Sequence, residues 1–334
     1  MLGAPSTGAI IRPLSVDSMS TYILRRVVLL VPTLLGISIL VFALMRFLPG
    51  DVVQMMIGTE IVLSPEQKAS LYKLVGLDAP IHIQFLRWLA DVLRGDLGTS
   101  LRTAQPVTEI LMQRLPITAE IAIVSALFSW LVAIPLGVFS AINRNGKADI
   151  VVLVIGLIGL ALPNFWLATM LLLITSVIFR WQPAPSWVSF SEDPVTNMQQ
   201  MLMPVLSLSA ALIAVVMRMM RSSMLEVLGQ DFIRTARAKG LTERLIMAKH
   251  ALKNAAIPVI TVMGVQIGFL LGGSVVIEQV YGLPGVGWMI LNGIYQRDYP
   301  VVQGGVLFLA FAFVFINLAA DLLYAYADPR IRYN

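Results

Sequence analysis

The chain has 334 residues, 57% hydrophobic and 13% charged, with no cysteine and a formal net charge of +5. Soluble globular chains carry about 45–50% apolar and about 25% charged residues, and their surface cannot be left so poor in charge. A cytosolic enzyme, a disordered tail and a secreted disulfide scaffold are therefore excluded, and the absence of cysteine removes thiolate metal sites and covalent haem attachment. This is the composition of a membrane protein, and where the positive charge sits decides what it serves.

Residues 1–20 are polar and rich in Ser, Gly and Pro, and read as a flexible N-terminal tail or as an upstream start preceding Met19. About 20 apolar residues cross a bilayer, and stretches of that kind lie near 22–48, 117–141, 149–179, 203–220, 257–277 and 304–326. The first transmembrane helix is placed at 21–48. Its Arg25-Arg26 start resembles a signal peptide, but the run from Val27 to Leu48 is too long and no A-x-A site follows, so it is an uncleaved anchor.

Residues 49–116 form an external helical loop. Ser64-Pro65-Glu66-Gln67 reads as a capping box with proline at the first helical position. A second helix is predicted after Asp78-Ala79-Pro80, with Ile81, Phe85, Leu89 and Val92 on one face and a stop at Gly95. A third, short helix is predicted between Pro106 and Pro116.

The stretch 149–179 is too long for one upright span, and Pro163-Asn164 sits at its middle. It is either one kinked helix or two half-helices with a re-entrant turn, and charge separates the two. With one span there and the N-terminus inside, the cytoplasmic parts (1–25, 142–149, 218–256, 327–334) hold 14 Lys and Arg against 6 Asp and Glu. The external loop 46–116 holds 7 of each. Basic residues stay on the cytoplasmic side, so six spans with both ends cytoplasmic are expected.

Eight Lys and Arg lie between Arg218 and Lys253, in a cytoplasmic loop at 221–256. Ser222 to Ala238 reads as a helix, Gly240 as its left-handed stop, and Thr242 as the N-cap of a second helix running towards Asn254. Retention of charge and attraction to anionic lipid account for the basic residues. They do not account for the glycine break or for the small residues Ala236 and Ala238 beside it, which suit insertion into a partner's groove.

These residues carry a family resemblance. Asp231-Phe232-Ile233-Arg234-Thr235-Ala236-Arg237-Ala238-Lys239-Gly240-Leu241, followed by His250-Ala251-Leu252-Lys253-Asn254-Ala255, resembles the EAA loop of ABC importer permeases, and within them the dipeptide/oligopeptide/nickel branch. Leu48-Pro49-Gly50-Asp51, Gly76-Leu77-Asp78, Gly95-Asp96-Leu97-Gly98, Glu278, Tyr281, Pro284-Gly285-Val286-Gly287, Arg297-Asp298-Tyr299-Pro300 and Asp328-Pro329-Arg330-Ile331-Arg332 fit the same branch. Asp231-Phe232 stands where Glu-Tyr is usual, and Val286 where leucine is common.

The resemblance implies a type I ABC importer permease: all-α, with six transmembrane helices and a five-helix permease core at 117–334. It implies a bacterial inner-membrane subunit that pairs with a second, homologous permease subunit and two ATP-binding subunits and is fed by a solute-binding protein. ATP and Mg would be bound by the partners, and no cofactor by this chain. Asp231, Arg234, Thr235, Ala236, Arg237, Ala238, Lys239, Gly240 and Leu241 would form the coupling helix. Gly240 would set the turn, Ala236 and Ala238 would admit the partner's backbone, and Arg234, Arg237 and Lys239 would meet acidic groups or lipid phosphates. Peptides are the expected substrate, with glutathione, nickel chelates and opine-type solutes as alternatives.

Inside the membrane, Asn164, Gln266, Asn317 and Asp321 are candidates for the translocation path, although each could instead hold a neighbouring helix. Gly264, Gly268 and Gly272 form a smooth ridge suited to close helix packing against the partner permease or a neighbouring helix. An intramembrane enzyme is disfavoured because His82 and His250 fall on opposite sides and no metalloprotease, nucleophile-elbow or Walker A string is present. A secondary transporter would want inverted repeats and mid-bilayer carboxylates, and only Asp321 comes near.

Overall fold

The structure, a computed structural model, describes residues 19–47, 64, 66–67, 70, 78–184 and 186–327. The tail at 1–18, the Leu48-Pro49-Gly50-Asp51 string, Gly76-Leu77 and the terminal 328–334 lie outside the described residues, as does the side chain of Asp321. Among the described residues all regular elements are helical, and a single bridge joins Thr99 to Pro106. Five helices are long and apolar enough to cross a membrane, and a bent helix pair makes a sixth span if counted as one.

Helix α1, Met19–Phe47, lies at the edge and leaves Val27, Val28, Leu29 and Val31 exposed. Its C-terminal end holds α2, Ile81–Leu93, whose Phe85 meets Phe42 edge-on and whose Trp88 lies tilted against it, with ring centroids 5.4 and 5.6 Å away. Of the predicted face, Phe85 makes this contact, whereas Ile81 is 55% exposed and Trp88 lies outside that face. The capping box at Ser64 forms as expected, with Gln67 N–H donating to Ser64 Oγ (3.3 Å) and Ser64 N–H to Gln67 Oε1 (3.0 Å).

The short helix expected between Pro106 and Pro116 does not exist by itself. It is the first part of α3, Val107–Ile142, which runs through both Pro116 and Pro135. Proline removes one backbone donor and bends a helix, but burial on either side of Pro116, at Val107, Leu111, Ile117 and Ile121, holds the chain helical.

Residues 149–179 are broken rather than kinked. Helices α4, Lys147–Ala161, and α5, Asn164–Val177, are bent by 101° about Leu162-Pro163. Leu162 is extended (φ −82°, ψ 124°), as the residue before proline must be, because the proline ring crowds its helical conformation.

Helix α6, Pro194–Leu228, is the centre of the bundle, with 67% of its most apolar stretch buried. Asp193 caps it by accepting from Val195 N–H and Thr196 N–H. Glycines let its neighbours approach: an added Cβ would stand 2.6 Å from Met217 O at Gly137 in α3, and 3.0 Å from Ala210 O at Gly159 in α4. Beyond α6 come α7, Asp231–Ala238, the single turn α8, Glu243–Leu245, and a π-helical segment, Ile246–Ala251. These lead into α9, Leu252–Tyr281, then α10, Val286–Gln296, and α11, Tyr299–Ala327.

Candidate functional site: the basic hairpin, its root and the outer cap

The basic loop folds as a hairpin, with two differences from the sequence expectation. The outgoing helix is not continuous from Ser222 to Ala238. It stops at Leu228, and Gly229 and the extended Gln230 (ψ 150°) separate it from α7. The returning helix does not end near Asn254, but passes through the π segment and continues as α9, with Pro258 tolerated inside it. Asn254 Nδ2 donates to His250 O at 2.7 Å, taking up a carbonyl of the wide π turn.

Gly240 is the turn residue, at φ +77°, and it closes a Schellman motif. Its N–H donates to Arg237 O (2.9 Å), and Leu241 N–H donates to Ala236 O (3.3 Å). Nothing lies within 4 Å of a Cβ built on Gly240, so glycine is required here for conformation and not for space.

On α7, Ile233 and Ala236 face inward and are buried, packing on a cluster with Met220, Met224, Ile246 and Ala251. Asp231, Phe232, Arg234, Thr235, Arg237, Ala238 and Lys239 are exposed. Ala236 is therefore a seat for α7 on its own chain, whereas the sequence reading turned it towards a partner. Arg234 pairs with Asp231 at 3.4 Å. Arg237 forks onto Glu243 across the turn, with Nε to Oε1 at 2.7 Å and Nη2 to Oε2 at 3.3 Å. That carboxylate raises the Arg237 pKa above its ordinary value.

Above the hairpin sits a cluster that sequence reasoning missed. Asp149, 2% exposed, receives Arg221 Nε on Oδ1 and Arg221 Nη2 on Oδ2, both at 2.7 Å. Ser140 Oγ donates to Oδ1 and Asn145 N–H to Oδ2. The available signal was an acid opening one apolar run and an arginine closing another at the same membrane boundary.

The opposite end of the bundle, the outer one in the sequence expectation and called the outer cap below, has its own buried hub, which the sequence offered only as a motif. Glu278, fully buried near the end of α9, accepts from Thr118 Oγ1 (2.7 Å) and from Trp288 N–H (2.9 Å). Thr118 Oγ1 in turn accepts from Val286 N–H at 2.8 Å. A carboxyl group from one helix and a hydroxyl from another thus satisfy free N–H groups at the start of α10. The glycines of Pro284-Gly285-Val286-Gly287 are steric: a Cβ at Gly285 would stand 2.4 Å from the Glu278 carboxyl carbon, and one at Gly287 2.5 Å from Val275 Cα. Nearby, the buried Asp298 accepts from Ser100 Oγ and from Leu101 N–H (3.2 Å).

The polar path candidates are not gathered in one place. Asn164 begins α5 at the break and is half-buried. Gln266 is buried in α9, its Oε1 without a partner, beside an apolar groove of about 330 Å³ lined by Val215, Val262, Val265 and Phe269. Asn317 faces the other side of α9, its Oδ1 3.1 Å from where a Gly268 Cβ would stand. The glycine ridge points the same way: Gly264 would meet Ala320 at 2.8 Å and Gly268 would meet Phe313 at 3.0 Å, while Gly272 has open space. Two of its three glycines thus serve the contact between α9 and α11. Among the described residues no group of three His, Asp or Glu is placed to hold a metal ion.

A bundle of apolar spans around one central helix, with a glycine-closed hairpin projecting from one end, is the architecture of an ABC importer permease. The same fold occurs in the inward-facing MetNI methionine ABC transporter, with a TM-score of 0.53 and 19% identity over 66% of this chain and 96% of that one. The chain belongs to the family described as the binding-protein-dependent transport system inner membrane component, which it matches over residues 133–333. The N-terminal family of the same systems matches residues 19–122. It is therefore a multi-pass inner-membrane permease and not itself an enzyme. Among its relatives is the dipeptide transport system permease protein DppB of Escherichia coli K12, 40% identical over 95% of this chain and all of that one. The oligopeptide transport system permease protein AppB of Bacillus subtilis is 40% identical over 94% of this chain and its own full length. A putative peptide transport system permease protein of Brucella abortus is 40% identical over 95% of this chain.

Proposed function

We propose that the chain forms half of the translocation pathway of an ATP-driven peptide importer. It would pair with a second, homologous permease subunit and two ATP-binding subunits, which hold ATP and Mg, and receive peptides from a solute-binding protein outside. The observation that carries this reading is the 40% identity to peptide permeases over their full length. The hairpin supports it: its turn is closed by Gly240, and Phe232, Thr235, Ala238 and Lys239 are exposed where a cytoplasmic partner would dock.

In this reading both termini and the hairpin are cytoplasmic, and 49–116 is external. Closure of the ATP-binding subunits moves the hairpins and rocks the two permeases as rigid bodies. The test is uptake of labelled di- and oligopeptides into proteoliposomes holding the assembled complex and its solute-binding protein. Uptake that needs ATP, stops with vanadate and survives an ionophore supports the reading. Uptake abolished by the ionophore and indifferent to ATP overturns it.

A further inference from the structure

The Asp149 cluster lies where three helices converge directly above the hairpin. Ser140 is two residues from the end of α3, Asp149 is in the first turn of α4, and Arg221 is two turns from the end of α6. Both carboxylate oxygens are doubly satisfied, and the arginine meets them with a planar fork. The apolar packing around this point is rich in methionine: Met217, Met220 and Met224 are fully buried, with Met219 and Met247 against them. Methionine is unbranched and fills gaps in many shapes, so this packing does not by itself fix the angle of the last turns of α6. The fork does, because it has one geometry.

We propose that Asp149 and Arg221 are a positioning pair for the hairpin. They bind the end of α6 to α4 and α3, so that displacement of the hairpin carries α4, and with it the break at Pro163, as one body. The proposal rests on the permease reading. It assigns to the pair the ratio of solute transported to ATP hydrolysed.

The test uses the assembled complex in proteoliposomes, reading assembly, ATP hydrolysis and peptide uptake together. Asp149→Asn keeps the shape and removes the charge, and Arg221→Lys keeps the charge and removes the fork. The expected result is an assembled complex that hydrolyses ATP near the unmutated rate, while uptake per ATP falls by about tenfold, within the usual range of coupling between sites. If Asp149→Asn prevents assembly, Arg221→Lys is read by the same ratio. An unchanged ratio in the assembled variants overturns the proposal, and so does loss of assembly in both, since the pair would then serve folding alone. An unmutated complex without ATP-dependent uptake overturns the proposed peptide-importer function itself, and is recognised because no substitution is needed to see it.

Discussion

Thr118→Val removes one hydroxyl from the outer cap with almost no change of volume. Thr118 Oγ1 both donates to Glu278 (2.7 Å) and accepts from Val286 N–H (2.8 Å). Thr118, Glu278 and Val286 are each at most 1% exposed, so water cannot replace the lost partner. A hydrogen bond contributes about 0.5–1.5 kcal/mol, and a buried N–H left unpaired costs about 1–3 kcal/mol. The two losses together predict a destabilisation of about 1.5–4.5 kcal/mol. Thr118→Ser retains the hydroxyl and loses only a methyl group, for about 1 kcal/mol. Unfolding of the purified permease in mixed micelles, with both variants against the unmutated chain, measures the difference. If Thr118→Val falls within about 0.5 kcal/mol of the unmutated protein, as substitutions away from such networks do, the outer cap is not held by this hydroxyl.

Gly240→Ala places a side chain in the left-handed region and costs about 1–2 kcal/mol; limited proteolysis should show a looser hairpin, with Gly240→Asn intermediate. Ala236→Leu overpacks the seat of α7 and should cost about 1–3 kcal/mol, whereas Ala238→Leu, on the exposed face, should leave thermal unfolding almost unchanged; equal effects would contradict the assigned faces. Gly268→Val should weaken the contact of α9 with α11, where Phe313 already stands 3.0 Å from the added atom, while Gly272→Ala should be neutral; cross-linking between cysteines placed in the two helices compares them. The Thr196 hydroxyl and backbone N–H hold the Asp193 carboxyl below its ordinary range. Its capping contribution is therefore full above the unfolded value of about 3.9 and declines as pH falls from there through the folded pKa. Hydrogen exchange at Val195 and Thr196 should stay slow down to about pH 4, and fraying at pH 5 would refute the assignment.

The spans were legible because apolar length is a one-dimensional property, and the hairpin turn because Gly240 is required by backbone geometry alone. The break at Pro163 was legible in place but not in size. Proline disfavours the helical conformation at Leu162, but the 101° bend also depends on how α5 packs, with Ala168 in a buried cluster and Thr175 Oγ1 against Met203 Sδ. Pro116 misled in the opposite direction, since the buried residues around it were invisible from the sequence. The side chains that organise the site were the least legible. Asp149 and Arg221 are 72 positions apart, and Thr118 and Glu278 are 160 apart. Such pairs follow from the bundle's three-dimensional closure, which hydropathy does not encode. Ala236 was grouped with Ala238 because both are small residues beside Gly240, and size alone does not tell which of the two packs on the chain's own core.

The two arms of the hairpin are mechanically unequal. The outgoing arm is interrupted at Gly229-Gln230, where Gln230 N–H still donates to Val227 O and Ile233 N–H to Gln230 O. The returning arm is helical over 39 residues, Glu243–Tyr281, through the π segment and Pro258, up to about 58 Å at 1.5 Å per residue. Its hairpin end carries Glu243, clasped by Arg237, and its far end carries Glu278, clasped to the start of α10. The turn of the hairpin and the fastening of α10 are thus the two ends of one continuous helical arm. The one shaft has a carboxylate grip at each end.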